Sequence, residues 1–255
     1  MDGARRHNAA CDDPWPPASV IHALHDRYLI EVVEHLSLCP FARRSREQGR
    51  VHRPLWWVAD TIAADRVAAD LLAIVQAHPD AEILLPTFVV APGHAWNDAE
   101  TFAAFVPEVR AAYEATQGSR FFMVAFHPGF PGGPRTPAPD APPSRPPAPE
   151  SLVPRLRRTP DPVIQCVNAE VLERARHAAQ LTARERLRGR FAHDPIMAAL
   201  IERSVQADPE LSAEIARNNF AAVGTGTGAD ELQQRISAIA EARAAAQLAG
   251  RGQLP

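Results

Sequence analysis

Residues 120–129 read "RFFMVAFHPG", and the choice of fold turns on them. Phe121 to Phe126 form an unbroken apolar run, closed by His127 and a Pro128-Gly129 turn. Without polar alternation, such a run predicts a central strand buried on both faces. Upstream, "EILLPTFVVAP" (82–92) is also rich in strand formers, and Pro86 marks an edge or a bulge. Further back, "VHRPLWWV" (51–58) reads as a short strand whose Pro54 favours an edge.

Helical patterns separate these runs. Ile21, Leu24, Tyr28, Val32 and Leu36 recur at helical spacing and give a first amphipathic helix. Asp60 is placed to cap a second, with its stripe at Val67, Leu71, Ile74 and Val75. Asn97 with Glu100 forms a capping-box pattern before Phe102, Phe105, Val109 and Tyr113, and Pro107 should kink that helix. Downstream, residues 129–154 are proline-rich and predict no regular structure. Asp-Pro then occurs at 161–162, 194–195 and 208–209. Aspartate as N-cap with proline at the first helical position predicts helices from about 162, 195 and 209. After "GTGTG" (224–228), which lacks the strand context and spacing of a phosphate loop, a last helix from near 229 carries Leu232, Ile236 and Ile239.

The reading is therefore an α+β fold: a small mixed, partly parallel sheet of about three to five strands covered by helices, with additional C-terminal helices. Residues 1–18 are expected to be disordered, 19–223 to form one domain with the proline-rich loop at 129–154, and 224–255 to be a linker and helix.

Composition narrows the function classes. Net charge is −3, which argues against a nucleic-acid partner. No apolar run is long enough for a membrane span, and no secretory leader pattern is seen at the start. Three cysteines (Cys11, Cys39, Cys166) without a Cys-x-x-Cys spacing fit cytoplasmic thiols rather than a disulfide framework. All 27 basic residues are arginine, so a lysine Schiff base is excluded and any anion falls to arginine or backbone.

The candidate site residues lie where elements end. Cys39, in "HLSLCPFARRSR" (35–46), follows a helix and precedes Pro40, a residue suited to starting a new helical turn. Helix-start amides and Arg43, Arg44 and Arg46 would favour its thiolate; the bland alternative is a small buried residue beside a solvated basic face. His35 and Glu31 share a helix face with Cys39 if the helix is regular. His127 ends its strand where loops of α/β folds place functional groups, and the proline-rich segment after it could serve as a lid. Arg157 and Arg158, in "RLRRTPDP" (155–162), precede an expected helix start and suit a carboxylate or phosphate.

The order "LCPFA" (38–42), "AFHPGF" (125–130), "RTPDP" (158–162) and "ARNNF" (216–220) resembles the motif series of a bacterial family known as domain of unknown function 1415. The resemblance covers about residues 20 to 223 and marks Cys39, Pro40, Phe41, His127, Pro128, Arg158, Pro160 and Asn218. It matches neither His35 nor Glu31. Where that family carries a histidine and then an arginine-glutamate pair on a helix, this chain has Gln165, Asn168 and Ala169.

The first functional expectation is a cytoplasmic, oxidoreductase-like or otherwise thiol-based enzyme acting on a small substrate, with an anion among the options. Cys39 and His127 are its catalytic candidates, and Arg158, Arg157, Phe130 and Asn218 its binding candidates. A metal- or haem-binding protein with Cys39 and His127 as ligands is the second. A non-catalytic module recruiting a partner through the proline-rich loop is the third. Cofactor and oligomeric state stay open.

Overall fold

The computed structural model describes residues 15–131, 149–190, 194, 196 and 211–251. Prolines divide two of its strands. β1 (Val51–His52) and β2 (Leu55–Val58) flank Pro54, and β3 (Ile83–Leu84) and β4 (Thr87–Val90) flank Pro86. β1 pairs with β3 and β2 with β4, both parallel. The missing proline N–H groups cost the sheet little because the carbonyls beside them still bond. Thr87 N donates to Pro54 O at 2.9 Å and Ile164 N to Pro86 O at 3.1 Å. The class is α+β with a mixed sheet, as the sequence predicts.

The centre of that sheet differs from expectation. β6 (Val163–Asn168) runs antiparallel to β3 and β4 on one side and to β5 (Phe121–Phe126) on the other, from Phe121↔Asn168 to Phe126↔Val163. The run at 121–126 is thus an outer strand, and Phe122 is 45% exposed. The helix predicted from 162 is instead this central strand. β-branched Val163, Ile164 and Val167 fit a position with partners on both sides, and tertiary pairing overrides the local cap signal. Asp161 caps no helix; its carboxylate is taken by other partners.

One face of the sheet is covered by α3 (Ala64–Ala77) and α4 (Ala99–Glu114). Phe88, Trp96, Phe102, Phe105, Ile164 and Cys166 lie in this core. Both predicted caps shift. Asp60 caps nothing, since α3 starts after Ala63 with no side-chain cap. Asp98 rather than Asn97 caps α4, accepting from Thr101 N at 2.8 Å. Asn97 instead donates to the carbonyls of Ala91 and His94. α4 runs through Pro107.

The other face is built by α1 (Ala18–Arg27), which continues as a π-helical stretch, Tyr28–Glu34, and leads to α2 (Ala42–Glu47). Around Tyr28, Val32 and Leu38 gather Leu152 of α5 (Pro149–Leu156), Val223 of α7 (Leu211–Val223), and Leu232, Ile236 and Ile239 of α8 (Gly226–Arg251). Each of the three α8 side chains stabilises this second core by about 1.5–3 kcal/mol. α5 begins inside the segment 129–154 expected to lack regular structure; Pro149 suits its first turn, where no N–H is needed. The rest of that segment, 132–148, lies outside the described residues. So do the residues 1–14 expected to be disordered, and most of the helix expected from 195, where Asp194 Oδ1 accepts from Ile196 N at 3.0 Å. α6 (Ala169–Arg190) follows β6. Among the described residues no helix is long and apolar enough to cross a membrane.

Candidate functional site

The chain leaves the π-helical stretch abruptly. Leu38 N bonds back five residues to Val33 O, and Ser37 takes a positive φ of 54°. This exit sets Leu38 into the second core and Cys39 against the sheet. Cys39 is partly accessible and lines a narrow cavity of about 50 Å³ with His25, Tyr28, Phe126, Thr159 and Gln165. Asn219 of α7 fixes the approach by donating to Leu38 O at 3.2 Å. Asn218, the candidate taken from sequence, is exposed; its neighbour makes the contact.

His25 is the residue that the sequence reading missed. It is buried, and its Nε2 lies 3.2 Å from Asp161 Oδ2. A carboxylate only accepts here, so Nε2 carries the proton of this contact and Nδ1 is the second ring nitrogen. Among the described residues Nδ1 makes no hydrogen bond. Arg243 of α8 holds Asp161 from the other side, with Nε and Nη2 each 2.8 Å from Oδ1. Burial alone would raise the Asp161 pKa, but the His25 hydrogen bond and the Arg243 charge outweigh it and hold the carboxyl below its usual range. The available signal was a histidine on the buried stripe of the first helix, between Ile21 and Tyr28.

The expected activation of Cys39 by local charge does not appear. Arg46 and Arg43 are both drawn to Glu34, whose oxygens lie 2.6 Å and 3.6 Å from their Nε atoms. Burial pushes the thiol up to about 11; the backbone amides of Phe41 and Ala42 pull it down, and Glu34 adds to the rise. Amides at the helix start therefore act as the sequence implied, but burial wins.

His127 does not share this cavity. It is 1% exposed on the α3–α4 face, tilted against the Phe102 ring. Its Nε2 is 2.9 Å from Trp96 O, and its Nδ1 accepts from Gly129 N at 2.9 Å. Both ring nitrogens are used, and burial lowers its pKa, so the neutral ring staples the turn after β5. Phe130 packs edge-on to it rather than near Cys39. Cys39 and His127 lie on opposite faces of the sheet and cannot ligate one metal or haem iron.

Arg158 does not line the Cys39 cavity itself. It lines a small second cavity with Pro128 and Pro160, and Tyr28 and Thr159 line both cavities. Arg157 is half-buried, with its guanidinium pKa lowered by that burial. His35 and Glu31 point to other partners: His35 is 3.3 Å from Glu231, and Glu31 pairs with Arg27. Among the family departures, Gln165 lines the Cys39 cavity, whereas Asn168 and Ala169 form the junction of β6 and α6. A wider groove of about 730 Å³ runs beside β5 past Arg110, Glu114 and Phe122, and among the described residues neither a cysteine nor a histidine lines it.

No protein-family model, no curated protein and no solved structure matches the chain.

Proposed function

We propose that the chain is a cytoplasmic enzyme that uses the Cys39 thiol on a small electrophilic substrate, with His25 as its base and Asp161 orienting that base. The observation that carries this reading is that a carboxylate-held histidine lines the same narrow cavity as a partly accessible cysteine. A nucleophile, a base and a group orienting the base are the minimum set for thiol attack.

In this scheme His25 Nδ1 takes the Cys39 proton as sulfur attacks, forming a bond to the substrate's electrophilic atom and expelling the leaving group. Asp161 stabilises the imidazolium so formed. A thiol kept protonated by burial needs such a base at neutral pH. No hydrogen bond joins Cys39 to His25 in this state, so the transfer requires sulfur to approach Nδ1 or a bridging water. The cavity's volume restricts the substrate to a small molecule. The motif order remains the ground for relating the chain to the domain of unknown function 1415 family.

The test is the pH profile of Cys39 alkylation by iodoacetamide. The native chain should show a component at neutral pH and a second rising toward about 11. His25→Gln should lose the first and keep the second. A profile unchanged by that substitution overturns the reading.

A further inference from the structure

We propose that Arg158 is the anion subsite of the Cys39 cavity, binding the carboxylate or phosphate end of the small substrate whose electrophilic end meets the thiol. This rests on the function proposed above and adds the substrate class.

Three observations converge. The first is proximity: Tyr28 and Thr159 line both the Cys39 cavity and the Arg158 cavity, so the two are neighbours across these side chains. The second is the state of the guanidinium. Arg158 Nε is buried without a hydrogen-bond partner among the described residues, as is Arg155 Nε one turn earlier. Several partly buried arginines face carboxylates: Arg46 meets Glu34, Arg50 meets Glu82 and Arg243 meets Asp161, while Arg110 and Arg155 donate to backbone carbonyls. Arg158 has no such partner among the described residues. The third is charge. Among the described residues no carboxylate lines either cavity, and the nearby Asp161 is already held by His25 and Arg243.

A half-buried cation without an anion is costly, and a ligand anion removes that cost. The planar fork of arginine matches a carboxylate or phosphate through paired N–H donors. With no lysine in the chain, arginine is the side chain that can supply this charge at neutral pH without titrating.

Two alkylating reagents of similar size test the idea. Iodoacetate is anionic and iodoacetamide neutral; in each case the Cys39 S–C bond forms, C–I breaks, iodide leaves and the thiol proton passes to the base. Rates at Cys39 are read by mass spectrometry on the full chain at constant ionic strength. Arg158→Gln should slow iodoacetate about tenfold, the scale of one lost charge pair, and leave iodoacetamide within about twofold. Inorganic phosphate should slow iodoacetate in the native chain more than chloride does at equal ionic strength, which keeps the test open if the variant does not fold. An iodoacetate-to-iodoacetamide ratio unmoved by both interventions overturns the anion subsite. A pH profile unchanged by His25→Gln, with a ratio that still responds to Arg158, overturns the catalytic reading alone. A Cys39 inert to both reagents overturns both.

Discussion

His25 and Asp161, 136 positions apart in sequence, meet with Nε2 and Oδ2 3.2 Å apart, and Arg243 of the last helix closes on the same carboxylate. One buried charge thus joins the first helix, the entrance to the central strand and the C-terminal helix. Asp161→Asn should cost about 3 kcal/mol at pH 7, because Arg243 keeps a charge with no counterpart. The Asp161 pKa is depressed in the folded state, so its contribution is full above the unfolded value near 3.9 and fades as pH falls through the folded value. Urea unfolding of the native chain and the variant should therefore differ at pH 7 and converge in strong acid. Equal stability at pH 7 would show that the network is neutral.

The two adjacent asparagines of α7 provide a sharper contrast. Asn219→Ala removes the donor to Leu38 O and should cost about 1 kcal/mol. Asn218→Ala should change stability by less than about 0.5 kcal/mol, since its side chain is exposed. Chemical denaturation measures both. The reverse ranking would mean that the helix is turned by one position from the arrangement described.

What the sequence made legible was mostly periodic. The stripes at Val67, Leu71 and Val75 and at Phe102, Phe105 and Val109 are buried as their spacing implied. Prolines 54 and 86 announced interruptions, and the structure places them at the breaks. Asp161-Pro162 misled because the same dipeptide that starts a helix can also enter a strand, and only the pairing with β3, β4 and β5 decides between them. The Cys39 cavity was half legible. A cysteine before proline stands out locally, but its company depends on which helix faces the sheet. The π-helical stretch shifts the register just before Cys39; His35 turns to Glu231, and the histidine that lines the Cys39 cavity is His25, on the buried stripe of the first helix.

The glycines at the start of α8 have a steric cause. A Cβ on Gly228 would stand 2.0 Å from Ala222 O, and Gly226 takes a φ of +61°. Gly228→Ala should cost about 2–4 kcal/mol because backbone, rather than a movable side chain, blocks the methyl. Thermal unfolding checks it; a change below about 0.5 kcal/mol would mean the turn relaxes freely.

His127 separates a stapling role from a catalytic one. Its two ring nitrogens hold Trp96 O and Gly129 N, and its backbone N–H donates to Arg157 O at 2.9 Å. His127→Gln should lose about 1–3 kcal/mol through groups left unpaired at the end of β5. It should leave the Cys39 alkylation profile unchanged, since the imidazole lies on the far face of the sheet. The pH dependence supplies a second readout. Burial lowers the His127 pKa in the folded state. Below the unfolded value near 6.5 the unfolded chain therefore binds the proton more readily, and stability falls with pH until the folded group also titrates. The variant lacks this group, so its stability should fall less than that of the native chain between pH 7 and the folded pKa. Unfolding free energies across that range, set beside alkylation rates at Cys39, decide the matter. A Cys39 rate that drops with His127 while stability holds would return His127 to the reacting groups.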